Sequence, residues 1–139
     1  MRRESGVSAG EVGYGPAMSY PLSRLLSAAT AAYGGYALTQ PAHLWQALRA
    51  DRKDRKGLEL LARTYGVRDL AISAAGVLGR RPATIRTAML LRVAMDLGDA
   101  ALLATRTEDE EVRTKVLAVT LGWAGLNALA LAVDGVRER

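Results

Sequence analysis

What most limits the folds open to this chain is a set of charges placed inside apolar segments. Arg68 and Asp69 lie within one helix-patterned apolar stretch, and Arg92, Asp96 and Asp99 lie within the next. An unpaired charge taken out of water costs several kcal/mol, so such residues have to turn inward and find partners. On a helix, Arg92, Asp96 and Asp99 follow i, i+4, i+7 spacing and share one face. In the preceding segment Gly66, Asp69, Ser73 and Gly76 form a small and polar stripe, and Thr120, Trp123 and Asn127 recur at similar spacing in the last apolar segment. Three helices are therefore expected to turn polar stripes toward a common interior.

Two solvents are compatible with that pattern. Half of the 139 residues are hydrophobic, yet only 5% are aromatic and none is Phe, so the interior relies on Ala, Leu, Val and Gly. Small residues let helices approach closely, as they do in lipid. Val116 to Val133 holds 18 residues without a charge, about the length needed to cross the hydrocarbon core. Tyr20 to Leu38 carries only Arg24, near its start. A soluble bundle has no use for helices that are apolar on all faces, which favours a membrane-integral protein. The soluble helical bundle stays open as the alternative. Charged residues make up 24% and mean hydropathy is only +0.04, and a charge at a helix centre costs about 2.5 to 3.5 kcal/mol on insertion.

The same composition excludes several chemistries. Without Cys there is no disulfide, thiol nucleophile or thiolate metal site, and with His43 as the single His there is no Ser-His-Asp triad and no multi-His metal site. No metal or cofactor is expected. His43 reads as a structural residue at a helix start near Trp45. The net charge of +5 comes from clusters at Arg49 to Lys56, at Arg80-Arg81 and in the Arg137/Arg139 tail. Beside apolar segments, such clusters read as anchors on anionic head groups. Nucleic acid is not an expected partner, because acids intersperse the clusters and aromatics do not.

Residues 1 to 18 have the composition of a disordered leader, and Met18 is an alternative start. No apolar stretch follows Arg2-Arg3, so they do not form a secretory signal. Residues 19 to 136 then read as a single domain. A first helix is expected from Tyr20 to Leu38, and a short amphipathic piece from Pro41 to Arg49. A polar tip follows over Asp51 to Gly57. A second helix is expected from Leu58 to Leu78 and a third from Pro82 to about Ala104. Thr107 is expected to open a capping box with Glu110, ahead of a fourth helix reaching about Val133. The result is an all-α, up-down four-helix transmembrane bundle with both ends on one side. Basic residues divide about equally between the two sides, so no orientation follows.

The segment Arg63-Thr-Tyr-Gly66-Val-Arg68-Asp69-Leu-Ala-Ile-Ser73, followed by Asp96-Leu-Gly-Asp99, resembles a group of small uncharacterised four-helix membrane proteins. Those carry Arg-x-x-Gly-x-Arg-Asp-Leu in the second helix and a paired Asp in the third. The resemblance spans about residues 20 to 134 and departs at Ser73, where relatives commonly have Gly. It implies the bundle and the membrane, and supplies no activity.

Arg68 and Arg92 set against Asp69, Asp96 and Asp99 leave one surplus negative charge, unless Arg63 also reaches the pocket. A surplus carboxylate at low dielectric is the condition for a general acid, or for binding a cation or a proton. The expected function is therefore a pocket for a small lipophilic molecule, with acid/base chemistry such as isomerisation or cyclisation. Asp96 or Asp99 would donate the proton, Arg68 and Arg92 would tune it or hold an oxyanion, and Asp69 would orient an arginine. Three alternatives stay beside it. The first is an ion-pair network that only fixes helix register. The second is proton or ion passage. The third is a non-catalytic accessory subunit or small oligomeric transporter, associating through Ala31, Gly34, Gly35, Gly122 and Gly125. Trp123 and Asn127 read as packing and an interhelical hydrogen bond, and Tyr33 and Tyr36 as an aromatic belt.

Overall fold

Proline and glycine punctuate the chain where its helices begin and end. The computed structural model describes residues 19–138, and the expected leader lies outside them. Five helices follow one another: α1 (Pro21–Thr39), α2 (Ala42–Ala47), α3 (Arg55–Leu78), α4 (Pro82–Arg106) and α5 (Glu110–Arg137), with no strand among the described residues. Pro21 and Pro82 stand in the first turns of α1 and α4, where a missing N–H costs nothing.

Several boundaries differ from the sequence expectation. The polar tip is shorter than expected, because α3 already starts at Arg55. Thr107 does not open a capping box: its hydroxyl donates back to the Leu103 carbonyl at 2.7 Å and so closes α4. The cap of α5 is Asp109, whose carboxylate accepts from the Glu111 amide at 2.9 Å and the Val112 amide at 3.1 Å. At its far end α5 continues past Val133 to Arg137, since Asp134 is buried inside the molecule instead of marking the helix end.

The four long helices run alternately up and down. α1 packs along α3 and α4 along α5, while α3 borders α4. Glycine sets the α1–α3 separation. A Cβ on Gly66 would lie 2.7 Å from the Gly34 carbonyl oxygen, and one on Gly34 would lie 2.9 Å from the Gly66 carbonyl oxygen. Only bare backbone fits there. This places Gly34 inside the fold, not on an outer association face, whereas Gly122 and Gly125 look onto open space.

Each end of the molecule has its own brace. At the first, Asp134 of α5 accepts from the Ser23 amide at 2.7 Å and the Ser23 hydroxyl at 2.8 Å, and so caps α1 from another helix. Arg24 donates to the carbonyls of Val77 and Gly79 at the end of α3. At the opposite end, Arg49 pairs with Asp109 at 3.4 Å and Glu111 at 3.3 Å, tying the α2–α3 connection to the start of α5.

The interior mixes small and aliphatic residues with an unusual share of polar and charged ones. The interior holds Ser23, Ser27, Thr30, Asp69, Ser73, Arg92, Asp96, Asn127 and Asp134. The buried apolar cluster is small: Tyr20, Ile85, Met89 and Ala130, with Leu22, Leu26 and Leu131 against it. Leu25, Val67, Leu90, Leu126 and Leu129 point outward and are more than half exposed. One helix, Glu110–Arg137, is long and apolar enough to cross a membrane by length and composition.

Candidate functional site

The charges that stand inside apolar segments meet between α3 and α4. Arg68 grips Asp99 with two parallel bonds, Nη1 to Oδ1 at 3.1 Å and Nη2 to Oδ2 at 2.8 Å, the planar fork-to-carboxylate geometry that suits arginine. Its Nε and Nη2 also reach Asp69 Oδ1, each at 3.1 Å. Arg92 meets the same Asp69 Oδ1 through Nη1 at 2.6 Å, and grips Asp96 through Nη2 at 3.1 Å and Nε at 3.2 Å. The five side chains form one alternating series, Asp99–Arg68–Asp69–Arg92–Asp96. Asp69 is its centre and is 2% exposed, while Asp99 at one end is 15% exposed. Arg63 is exposed and takes no part, so the network keeps one more carboxylate than guanidinium.

Local sequence explains why the series closes. Spacing on α4 puts Arg92 one turn before Asp96, and the adjacent Arg68 and Asp69 let α3 present a cation toward Asp99 and an anion toward Arg92. Tyr65, one turn before Arg68, lays its ring under that guanidinium at 4.6 Å.

The network forms the polar wall of a cavity of about 500 Å3. Leu44 and Leu48 of the α2 region, Leu103 of α4, and Val112, Val116, Val119 and Trp123 of α5 supply the apolar lining. Thr30, Tyr33, Tyr65 and Thr120 also line it. The α2 segment is held across one side by a 3.0 Å hydrogen bond between the Tyr33 hydroxyl and His43 Nε2, and by contact between His43 Nδ1 and the Gln40 carbonyl at 2.7 Å. His43 also packs edge-on against Tyr33 and at a tilt against Tyr36, its ring centre 5.7 and 5.1 Å from theirs. Trp45 faces away from this group, with its Nε1 donating to Glu59 at 3.2 Å and Arg55 over its ring.

Arg49 and Lys115 stand at the mouth of the cavity, both engaged by acids. Lys115 pairs with Glu111 at 2.6 Å, and Arg49 with Asp109 and Glu111. The Val112 and Glu111 amides, with Arg49 behind them, hold the Asp109 carboxyl below its ordinary value. Lys115 first, and then Arg49, do the same for Glu111. The mouth is thus ionised and internally neutral.

Among the described residues no group of three His, Asp or Glu side chains is arranged to hold a metal ion, since arginines separate the three aspartates. Asn127 differs from its sequence reading. Its Nδ2 donates to the Trp123 carbonyl of its own helix at 2.8 Å, so the bond is intrahelical, and its Oδ1 is buried without a partner. Trp123 lines the cavity. Sequence reasoning missed Tyr65, Thr30 and the α2 wall as cavity residues, and Asp134 as a cap. Tyr65 had a signal, its place one turn before Arg68. Comparison of the chain with protein-family models, with curated proteins and with solved structures finds no match.

Proposed function

We propose that the chain is an integral four-helix membrane bundle whose cavity binds a small lipophilic molecule. The observation that carries this reading is the cavity's mixed lining: aliphatic side chains and Trp123 together with two arginines and three aspartates. Such a pocket suits a ligand with an apolar body and one polar group, and its volume is that of ordinary small-molecule sites. The outward leucines and the inward polar residues support lipid as the surrounding solvent. On this reading the chain belongs with the small four-helix membrane proteins that its two charged motifs resemble.

Binding is supported more strongly than oxyanion chemistry, because both guanidiniums already hold carboxylates on two sides. Acid/base catalysis then rests with Asp96 or Asp99, the ends of the series, each held by a single arginine.

The test uses protein purified in lipid nanodiscs and examined by native mass spectrometry, alongside Val116→Trp, which fills the cavity from α5. A small-molecule adduct retained by the wild type and lost in the variant is the expected result. Identical spectra from two folded proteins would remove the binding reading.

A further inference from the structure

We infer that the ligand of this cavity is a lipophilic cation, an apolar body carrying a single protonated or quaternary amine; this rests on the pocket reading above. Charge balance supplies the first step. Two guanidiniums face three carboxylates in one connected series, so the polar wall carries one uncompensated negative charge. The remaining charges at the cavity do not cancel it. Arg49 and Lys115 sit at the mouth, more than half exposed, and are matched by Asp109 and Glu111. Exposed pairs of that kind are screened by water, while the buried series is not. An anionic ligand would add to an existing excess of carboxylate over guanidinium. A cation completes the alternation.

Unused acceptor capacity supplies the second step. Asp69 lines the cavity and is 2% exposed, yet both of its arginine contacts fall on Oδ1. Its Oδ2 takes no hydrogen bond among the described residues. An acceptor on the cavity wall with no protein donor is free to take an ammonium N–H or to face a quaternary amine. The rings of Trp123, Tyr33 and Tyr65 stand on the same cavity, and aromatic faces attract ammonium groups. The aliphatic wall receives the rest of the molecule.

Of the two tryptophans in the chain, only Trp123 lines the cavity, so Trp45→Phe leaves a single fluorescent reporter in place. That protein, reconstituted in phosphatidylcholine vesicles, is titrated with three amphiphiles of equal tail: decyltrimethylammonium, decanol and decyl sulfate. The expected result is a saturable change in Trp123 emission at concentrations about tenfold lower for the cation than for the alcohol, equivalent to about 1.4 kcal/mol. Decyl sulfate should be weakest, and Asp99→Asn should abolish the cation's advantage.

Saturation by all three at similar concentrations would overturn the charge assignment and keep the pocket. Preference for decanol would also overturn it, meaning that a proton already neutralises the network. No saturable change with any probe would remove the pocket itself. Should Asp99→Asn fail to fold, Asp96→Asn removes the same charge from the other end of the series, and the wild-type order of cation against sulfate decides on its own.

Discussion

Asp69 holds the polar network together because one of its oxygens is shared by two arginines from different helices. Replacing it with Asn leaves Arg68 and Arg92 facing each other across a neutral amide, in a largely buried site. Breaking a buried pair in this way costs about 3 to 5 kcal/mol. Asp99 is held by Arg68 alone and is more exposed, so Asp99→Asn should cost clearly less. Unfolding of the two variants in the same detergent measures the difference, and equal losses would mean that the series is not centred on Asp69. At this scale the sequence was informative about membership and silent about order. Helical spacing identified the face of α4 that bears Arg92, Asp96 and Asp99. It did not reveal that Arg92 would serve Asp69 as well as Asp96, because that depends on how α3 is rotated and how far it is shifted along α4. The surplus charge hinged on Arg63, whose outward position no spacing rule on α3 alone decides. Asp134 went unread for a related reason: a lone acid after 18 uncharged residues looks like the end of a helix, and only the position of α1 makes it a cap.

Between elements, the decisive contact is the crossing of α1 and α3. Gly34 and Gly66 meet backbone to backbone, so neither can gain a methyl group without pushing the helices apart. Separation there would move α3, and with it Arg68 and Asp69, relative to α4. Gly66→Ala should therefore destabilise the protein by about 1 to 3 kcal/mol, the usual cost of overpacking. Gly125→Ala on α5 is the matched control: a Cβ there meets nothing within 4 Å, and alanine favours the helix by up to about 1 kcal/mol. Thermal unfolding of both variants checks this, and a Gly66→Ala protein as stable as Gly125→Ala would show that the crossing is loose. The helices themselves were legible because Pro82 and the charge-free runs are local signals. Asp109 was overlooked as the cap in favour of Thr107, since several acids and a threonine compete over four residues and the choice depends on where α4 stops. The α2 wall was hidden too, since a six-residue helix carries too little pattern to show what it covers.

For the molecule as a whole, the proposed membrane setting turns on how side chains divide between inside and outside. A water-soluble bundle gains stability by burying leucine, and this one turns Leu25, Leu90, Leu126 and Leu129 outward while burying Ser23, Asp69, Arg92 and Asn127. In water, that arrangement would leave those leucines exposed and the buried charges costly. In a bilayer the outward leucines meet hydrocarbon and the inward charges meet each other. Exposed charges stand at both ends, Arg80 and Arg81 at the α3–α4 turn and Arg52 and Lys53 before α3, while Arg63 is exposed two turns inside α3. Because the chain contains no cysteine, single cysteines can map this directly. In sealed vesicles of uniform orientation, a membrane-impermeant maleimide should label Arg52→Cys and Arg81→Cys from opposite sides. Leu97→Cys and Leu126→Cys, both outward-facing near the middle of their helices, should stay unlabelled until the protein is denatured. Labelling of all four at similar rates would mean that water reaches the whole surface. The outward leucines would then need a protein partner in place of lipid, and the pocket would open to solvent instead of to the bilayer.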